Sequence, residues 1–175
     1  MIILFTGSGK GKTTSALGQM MRVLGRGKTA LMIQFIKGSW KSGEDEFATT
    51  FDIRHSTFDI RKMGLGFVGI MDDELPIEKH KEAAREALAA FIEEKKSGEW
   101  HCIVLDEINV AVALGLLKKR DVLTAIKDFP EDKILILTGR DAPWEFIDAA
   151  DLVTEMKEIK HPFQKGKEGR EAIEF

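Results

Sequence analysis

The sequence predicts an α/β protein, a mainly parallel sheet with helices on both faces, and three observations predict it. Short apolar, β-rich runs alternate with longer amphipathic ones, the pattern of βαβ units. The central short runs are almost continuously hydrophobic, as strands buried on both faces are. Between the first of them and the first amphipathic run lies "FTGSGKGKTT", a turn rich in glycine and lysine that gives the order strand, loop, helix of a phosphate-binding P-loop.

The elements follow in order. "IILFT" (2–6), "ALMIQFI" (30–36), "CIVLDE" (102–107) and "KILILTG" (133–139) are the central strands. "DIRHSTF" (52–58) and "LVTEMKEI" (152–159) are more mixed and belong nearer the edges. A helix is predicted over 12–24, ended by Gly25 and Gly27, and a long one over 76–96, ended by Gly98. Shorter helices are predicted over 110–117, 120–128 and 143–149. Two stretches read as irregular, "KGSWKSGED" (37–45) and "RKMGLGFVGIMDDELP" (61–76). The first follows directly on a strand's carboxyl end, where open α/β sheets bind their ligands.

A chain of 175 residues suits a single domain, 1–175, that buries roughly two-thirds of its unfolded surface. With 31% charged residues and a net charge of −3 it has an ordinary globular composition, and its mild acidity argues against nucleic acid as a partner. The lone Cys102 excludes an internal disulfide and a Cys-rich zinc site and suits a reducing compartment. No apolar run approaches the ~20 residues that span a bilayer, and "MIILF" leads straight into the glycine loop without a secretory pattern. A cytoplasmic location with no membrane partner is expected.

The loop matches the end of the G-x-x-x-x-G-K-[ST] pattern with Gly11, Lys12 and Thr13, while Thr6 stands where its first glycine belongs. Gly7, Gly9 and Gly11 let successive backbone N–H groups turn inward as an anion nest at a helix start, with Ser8 and Thr14 beside them. Lys12 supplies a point charge for phosphates, and the Thr13 hydroxyl can reach a phosphate-bound Mg²⁺. Lys10 is either a second phosphate contact or a solvated charge.

"IVLDE" places Asp106 and Glu107 at a buried strand's end, as a Walker B element does, where carboxylates hold the metal directly or through its waters. A helix-capping acid is the plainer reading, and in an ATPase Glu107 would be a candidate base for attacking water. "LTGR" brings Thr138 and Arg140 to the end of another strand, and Arg140 could stabilise phosphate charge or be a surface arginine. Arg22, near the far end of the first helix, reads as easily as solvated. Histidines 55, 80, 101 and 161 show no metal-ligand spacing.

Taken in order, "FTGSGKGKTT", "QFIKG", "MGLGF", "VLDE", "LTGR", "ADLVTEM" and "KHPF" resemble the P-loop corrinoid adenosyltransferases (ATP:cob(I)alamin adenosyltransferases) over nearly the whole chain. That family's loop likewise carries Thr before its glycine–lysine core. The resemblance implies a RecA-like P-loop nucleotide-binding fold and an unusual reaction. The Co(I) of a reduced corrinoid attacks the 5′ carbon of ATP, forming a cobalt–carbon bond and releasing tripolyphosphate, with ATP held reversed relative to ordinary P-loop enzymes.

The resemblance assigns Gly7, Ser8, Gly9, Lys10, Gly11, Lys12, Thr13 and Thr14 to ATP, Thr13 and Glu107 to Mg²⁺ (or Mn²⁺), and Arg22 and Arg140 to supporting nucleotide contacts. With all three phosphates leaving together, Lys12, Thr13 and Glu107 become the catalytic set, and Glu107 serves the metal rather than a proton. A homodimer and a flavoprotein reductase that supplies electrons are the implied partners. Phe67 matches a phenylalanine that packs beneath the corrin and displaces the lower cobalt ligand.

Three departures stand out. Gly69 occupies the place of the family's second aromatic, a tryptophan, for which Trp40, Met63 or Met71 could substitute unless they are ordinary packing. Ser8 stands where relatives often carry asparagine. The chain starts just before its first strand, so closure of the site is expected to differ from that of longer relatives. Two readings compete: a P-loop ATPase or small-molecule kinase, which leaves the downstream strings unexplained, and a non-catalytic carrier of ATP and adenosylcorrinoid, which would form no Co–C bond from Co(I) corrinoid and ATP.

Overall fold

The structure, a computed structural model, describes residues 1–38, 40, 42–50, 57–70 and 73–173. Six parallel strands form one sheet in the order β3-β2-β4-β5-β1-β6. They are β1 (Ile2–Thr6), β2 (Ala30–Gln34), β3 (Phe58–Lys62), β4 (Cys102–Asp106), β5 (Ile134–Thr138) and β6 (Leu152–Glu155). The helices are α1 (Lys12–Leu24), α2 (Gly43–Thr50), α3 (Ile77–Ser97), α4 (Ile108–Ala113), α5 (Lys119–Ile126) and α6 (Trp144–Ala149).

Strand alternation sorts the core into two clusters, one on each face. Leu31, Ile33, Ile103, Leu105, Leu135 and Leu137 turn toward Phe91 of α3, Ile108 of α4, Val122 of α5 and Phe146 of α6. Ala30, Met32, Cys102, Val104 and Ile136 turn toward Ala16, Met20 and Val23 of α1. Because β2 and β4 are covered on both faces, every one of their residues is buried, which is why they carry no polar side chain before their carboxyl ends.

The edges are where expectation and structure part. The predicted strand 52–58 lies largely outside the described residues, 51–56 among them; the observed β3 starts at Phe58 and runs on into "DIRK". Its charges suit an edge, and Arg61 pairs there with Asp59 and with Glu94 of α3. The opposite edge, β6, is exposed throughout and stops at Glu155 rather than residue 159. A helix, α2, begins inside the stretch expected to be irregular. Ser42 and Asp45 start it, for the Asp45 carboxylate accepts from the Ser42 N–H at 2.7 Å and its hydroxyl at 3.0 Å.

Candidate active site

The carboxyl ends of β1, β2, β4 and β5 converge on one cleft of about 510 Å³. Its floor is the loop between β1 and α1, and the backbone of that loop is wedged against the segment after β6. The Gly9 N–H donates to the Met156 carbonyl at 2.6 Å, and the Met156 N–H donates to the Thr6 carbonyl at 2.8 Å. A Cβ at Gly7 would stand 2.5 Å from the Met156 carbonyl oxygen, and φ is +96° there, so only glycine fits. Thr6 is buried, with its hydroxyl accepting from the Ala142 N–H at 3.4 Å, which gives the departure from the usual first glycine a structural partner.

Lys12 is 7% exposed, and its ammonium donates to the carbonyls of Gly7 at 2.8 Å and Gly9 at 2.7 Å. Burial holds that ammonium below its usual pKa; Glu107 opposes the shift and Arg140 adds to it. Ser8, Lys10 and Thr14 are exposed on the cleft wall, with Gly11 and Thr13 between them.

Asp106 is fully buried and spends its carboxylate on the protein. Thr13 Oγ1 donates to it at 2.9 Å, Thr138 Oγ1 at 2.7 Å and Gln34 Nε2 at 3.1 Å. These bonds fasten α1 to β2, β4 and β5 beneath the cleft. Glu107, one residue on, turns into the cleft instead, with left-handed φ 61° and ψ 22° and its N–H on Thr138 Oγ1 at 3.0 Å. Burial first, then the neighbouring Asp106, pushes its carboxyl up to about 7, against the pull of Lys12, Arg140 and Lys37.

The structure thus gathers Ser8, Gly9, Lys10, Gly11, Lys12, Thr13, Thr14, Glu107 and Arg140 at one cleft. It does not bring Arg22 there: that side chain lies in the last turn of α1, in a separate depression with Gln19, Arg26 and Lys28. Sequence reading passed over Lys37 and Glu44, an ion pair on the cleft wall, although the segment carrying them follows a central strand. His161, which no metal-ligand spacing had singled out, also lines the cleft, as do Ala172 and Ile173 near the C-terminal end.

Phe67 lies on a neighbouring loop, 40% exposed, and its ring meets that of Trp40 with centroids 5.1 Å apart and planes at 43°. The Trp40 loop follows β2 and the Phe67 loop follows β3, and hydrogen bonds tie the second to the end of β2: the Gln34 carbonyl accepts from the Met63 and Gly64 N–H groups at 3.0 and 3.1 Å, and the Ile36 carbonyl from Gly66 at 2.9 Å. Met63 packs against the core, and Met71 lies outside the described residues.

A strand, a glycine loop and a helix, with an acidic strand end two places away across β5, define a P-loop nucleotide-binding protein. The fold matches that of a KaiC-like protein from Pyrococcus horikoshii with a TM-score of 0.51 at 15% identity, covering 91% of this chain and 73% of that one, and so belongs to the RecA-like P-loop folds. The family model for ATP:corrinoid adenosyltransferase BtuR/CobO/CobP matches residues 1–175, and the chain belongs to that family. A corrinoid adenosyltransferase of Pseudomonas aeruginosa is 35% identical over 175 residues, 100% of this chain and 83% of its own. One from Escherichia coli K12 is 31% identical over 175 residues, 100% of this chain and 85% of its own. Among the described residues no helix is long and apolar enough to cross a membrane.

Proposed function

We propose that this chain transfers the 5′-deoxyadenosyl group of ATP to the Co(I) of a reduced corrinoid. The cobalt electron pair forms the Co–C bond to C5′, the C5′–O bond breaks, and its pair leaves on tripolyphosphate. The observation that carries this reading is the placement of a phosphate cleft and an exposed aromatic loop side by side on strand ends, in a chain of this family.

The Lys12 ammonium is held at the cleft floor by carbonyls of its own loop, placed as the point charge for the phosphate oxygens of ATP. The loop N–H groups and the start of α1 face the charge that grows as the triphosphate departs. Arg140 meets the same charge from β5. Since no water attacks, no general base is assigned, and the strand-end acids serve the metal and the loop.

Mg²⁺ fits the donors present. Thr13 gives its proton to Asp106, which leaves the hydroxyl lone pairs free for a cation, and Glu107 is a carboxylate in the cleft. Two protein donors suffice for an ion that keeps waters and phosphate oxygens as most of its shell. When bound it would neutralise triphosphate charge. We further assign a homodimer and electron supply by a flavoprotein reductase, on the family resemblance.

An anaerobic assay with pre-reduced corrinoid and ATP tests the reading. Formation of the Co–C bond with one tripolyphosphate per turnover is expected; ADP and a phosphorylated acceptor would instead establish a kinase.

A further inference from the structure

Lysine and arginine side chains enter the cleft from three strand ends: Lys10 and Lys12 from the loop after β1, Arg140 from the turn after β5, and Lys37 from the connection after β2. The strand order β2-β4-β5-β1 puts the first two sources on one side of Glu107, which follows β4, and Lys37 on the other. From β1 to β2 is three strand spacings, about 14 Å. Lys12, Arg140 and Lys37 are all close enough to Glu107 to oppose the rise that burial and Asp106 impose on its carboxyl. The positive groups thus form a line across the strand ends, with the carboxylate of Glu107 in its middle.

The backbone under Lys37 is fixed. The Phe35 N–H donates to the Asp106 carbonyl at 3.0 Å, and a Cβ at Gly38 would stand 3.0 Å from the Gly66 nitrogen, so the chain packs on neighbouring backbone on both sides of Lys37. Its ammonium donates to the Glu44 carboxylate in the first turn of α2. That pair is not needed to hold α2, whose start is already tied through Asp45 to Ser42 and to Lys62 of β3. It does hold the lysine at the cleft wall, with the side chain 33% exposed and N–H donors to spare. Without Lys37, the charged groups on the β2 side of the cleft would, among the described residues, be the carboxylates of Glu44 and Glu107 alone, a poor surface for a polyanion.

We propose that Lys37 contacts the far end of a polyphosphate chain gripped at its other end by Lys12 and Arg140, so that the cleft measures chain length and selects a triphosphate over a diphosphate. The proposal deepens the adenosyltransferase reading, on which it rests for the identity of the ligand as ATP or its tripolyphosphate product. A triphosphate with an ion at Glu107 meets positive charge at both ends of the line; a diphosphate held by the loop after β1 stops short of Lys37.

Isothermal titration of the full chain with inorganic tripolyphosphate and with pyrophosphate, each with Mg²⁺, tests this in wild type, Lys37→Gln, Lys37→Arg and the double variant Lys37→Gln/Glu44→Gln. Wild type should bind tripolyphosphate at least about tenfold more tightly than pyrophosphate. Lys37→Gln should weaken tripolyphosphate by about tenfold and pyrophosphate by no more than about twofold, and Lys37→Arg should recover most of the loss. The double variant sets two amides in place of the ion pair and leaves the net charge of the cleft unchanged, so a loss of at least about threefold for tripolyphosphate there reports the missing contact. Unchanged tripolyphosphate binding in Lys37→Gln would overturn the assignment. So would full affinity in the double variant, equal weakening of both ligands, or a wild type that binds the two equally. ADP and a phosphorylated acceptor as products, with the chain-length preference intact, would overturn the transfer reading and leave the role of Lys37 standing.

Discussion

Glu107 combines two costly features at one position: a left-handed backbone, φ 61°, and a carboxyl that burial and Asp106 push up to about 7. A carboxyl whose folded pKa exceeds its unfolded value costs stability wherever it is ionised. The cost is absent below the carboxyl's ordinary value of 4.5, grows as pH rises, and is complete above about 7. Glu107→Gln should therefore stabilise the nucleotide- and metal-free protein by about 1–3 kcal/mol at pH ~8. The gain should shrink at pH ~5, where the folded carboxyl is already protonated. Thermal denaturation at the two pH values measures it. The same variant should lose at least tenfold in adenosyl transfer, since an amide cannot offer a cation the charge a carboxylate does. A lower melting temperature at both pH values would mean that the carboxylate is structural, and the catalytic assignment would lose its support.

At the scale of elements, the loop after β1 and the segment after β6 act as one piece, because Gly7 and Gly9 pack directly on the backbone of Met156 and Lys157. Gly7→Ala would press a methyl 2.5 Å from the Met156 carbonyl oxygen and 2.8 Å from its nitrogen, at a φ that alanine resists. A loss of about 2–4 kcal/mol in denaturant unfolding is expected, with ATP binding falling by more than tenfold because the loop carbonyls and N–H groups move together. The Gly7 conformation was legible in the sequence as part of a phosphate loop, but its partner was not, for nothing local links residue 7 to residue 156. The same divide runs through the fold. Central strands announced themselves because burial on both faces demands unbroken hydrophobicity. β3 did not, since its charges are met by Asp59 and by Glu94 on a distant helix. α2 did carry a local signal, Ser42 with Asp45, hidden inside a glycine-rich stretch that read as loop. In the site, Lys12, Thr13 and Glu107 stood out by motif, whereas the saturation of Asp106 by Thr13, Thr138 and Gln34 is set by sheet order alone.

For the molecule as a whole, the parallel sheet points the ends of β1, β2, β4 and β5 the same way, so every group proposed to grip phosphate enters the cleft from one direction. Binding should then be dominated by the triphosphate, and it should register as global stability because α1, β4 and β5 are joined beneath the cleft through Asp106. A ligand at ~100 times its Kd adds about 2.7 kcal/mol, which for a chain of this size raises the melting temperature by about 5–10 °C. MgATP should produce such a shift. Tripolyphosphate, the product that keeps every phosphate contact, should give at least about half of it at equal concentration. AMP, which keeps the nucleoside and one phosphate, should give little. Lys12→Ala should remove most of the shift with both triphosphate ligands while its own unliganded melting temperature stays near the wild-type value, because the desolvation of the buried ammonium offsets the hydrogen bonds it gives to the Gly7 and Gly9 carbonyls. Scanning calorimetry separates these outcomes. A shift with ATP and AMP but none with tripolyphosphate would place the affinity in the nucleoside, and a loop that does not hold the leaving group cannot be what drives its departure.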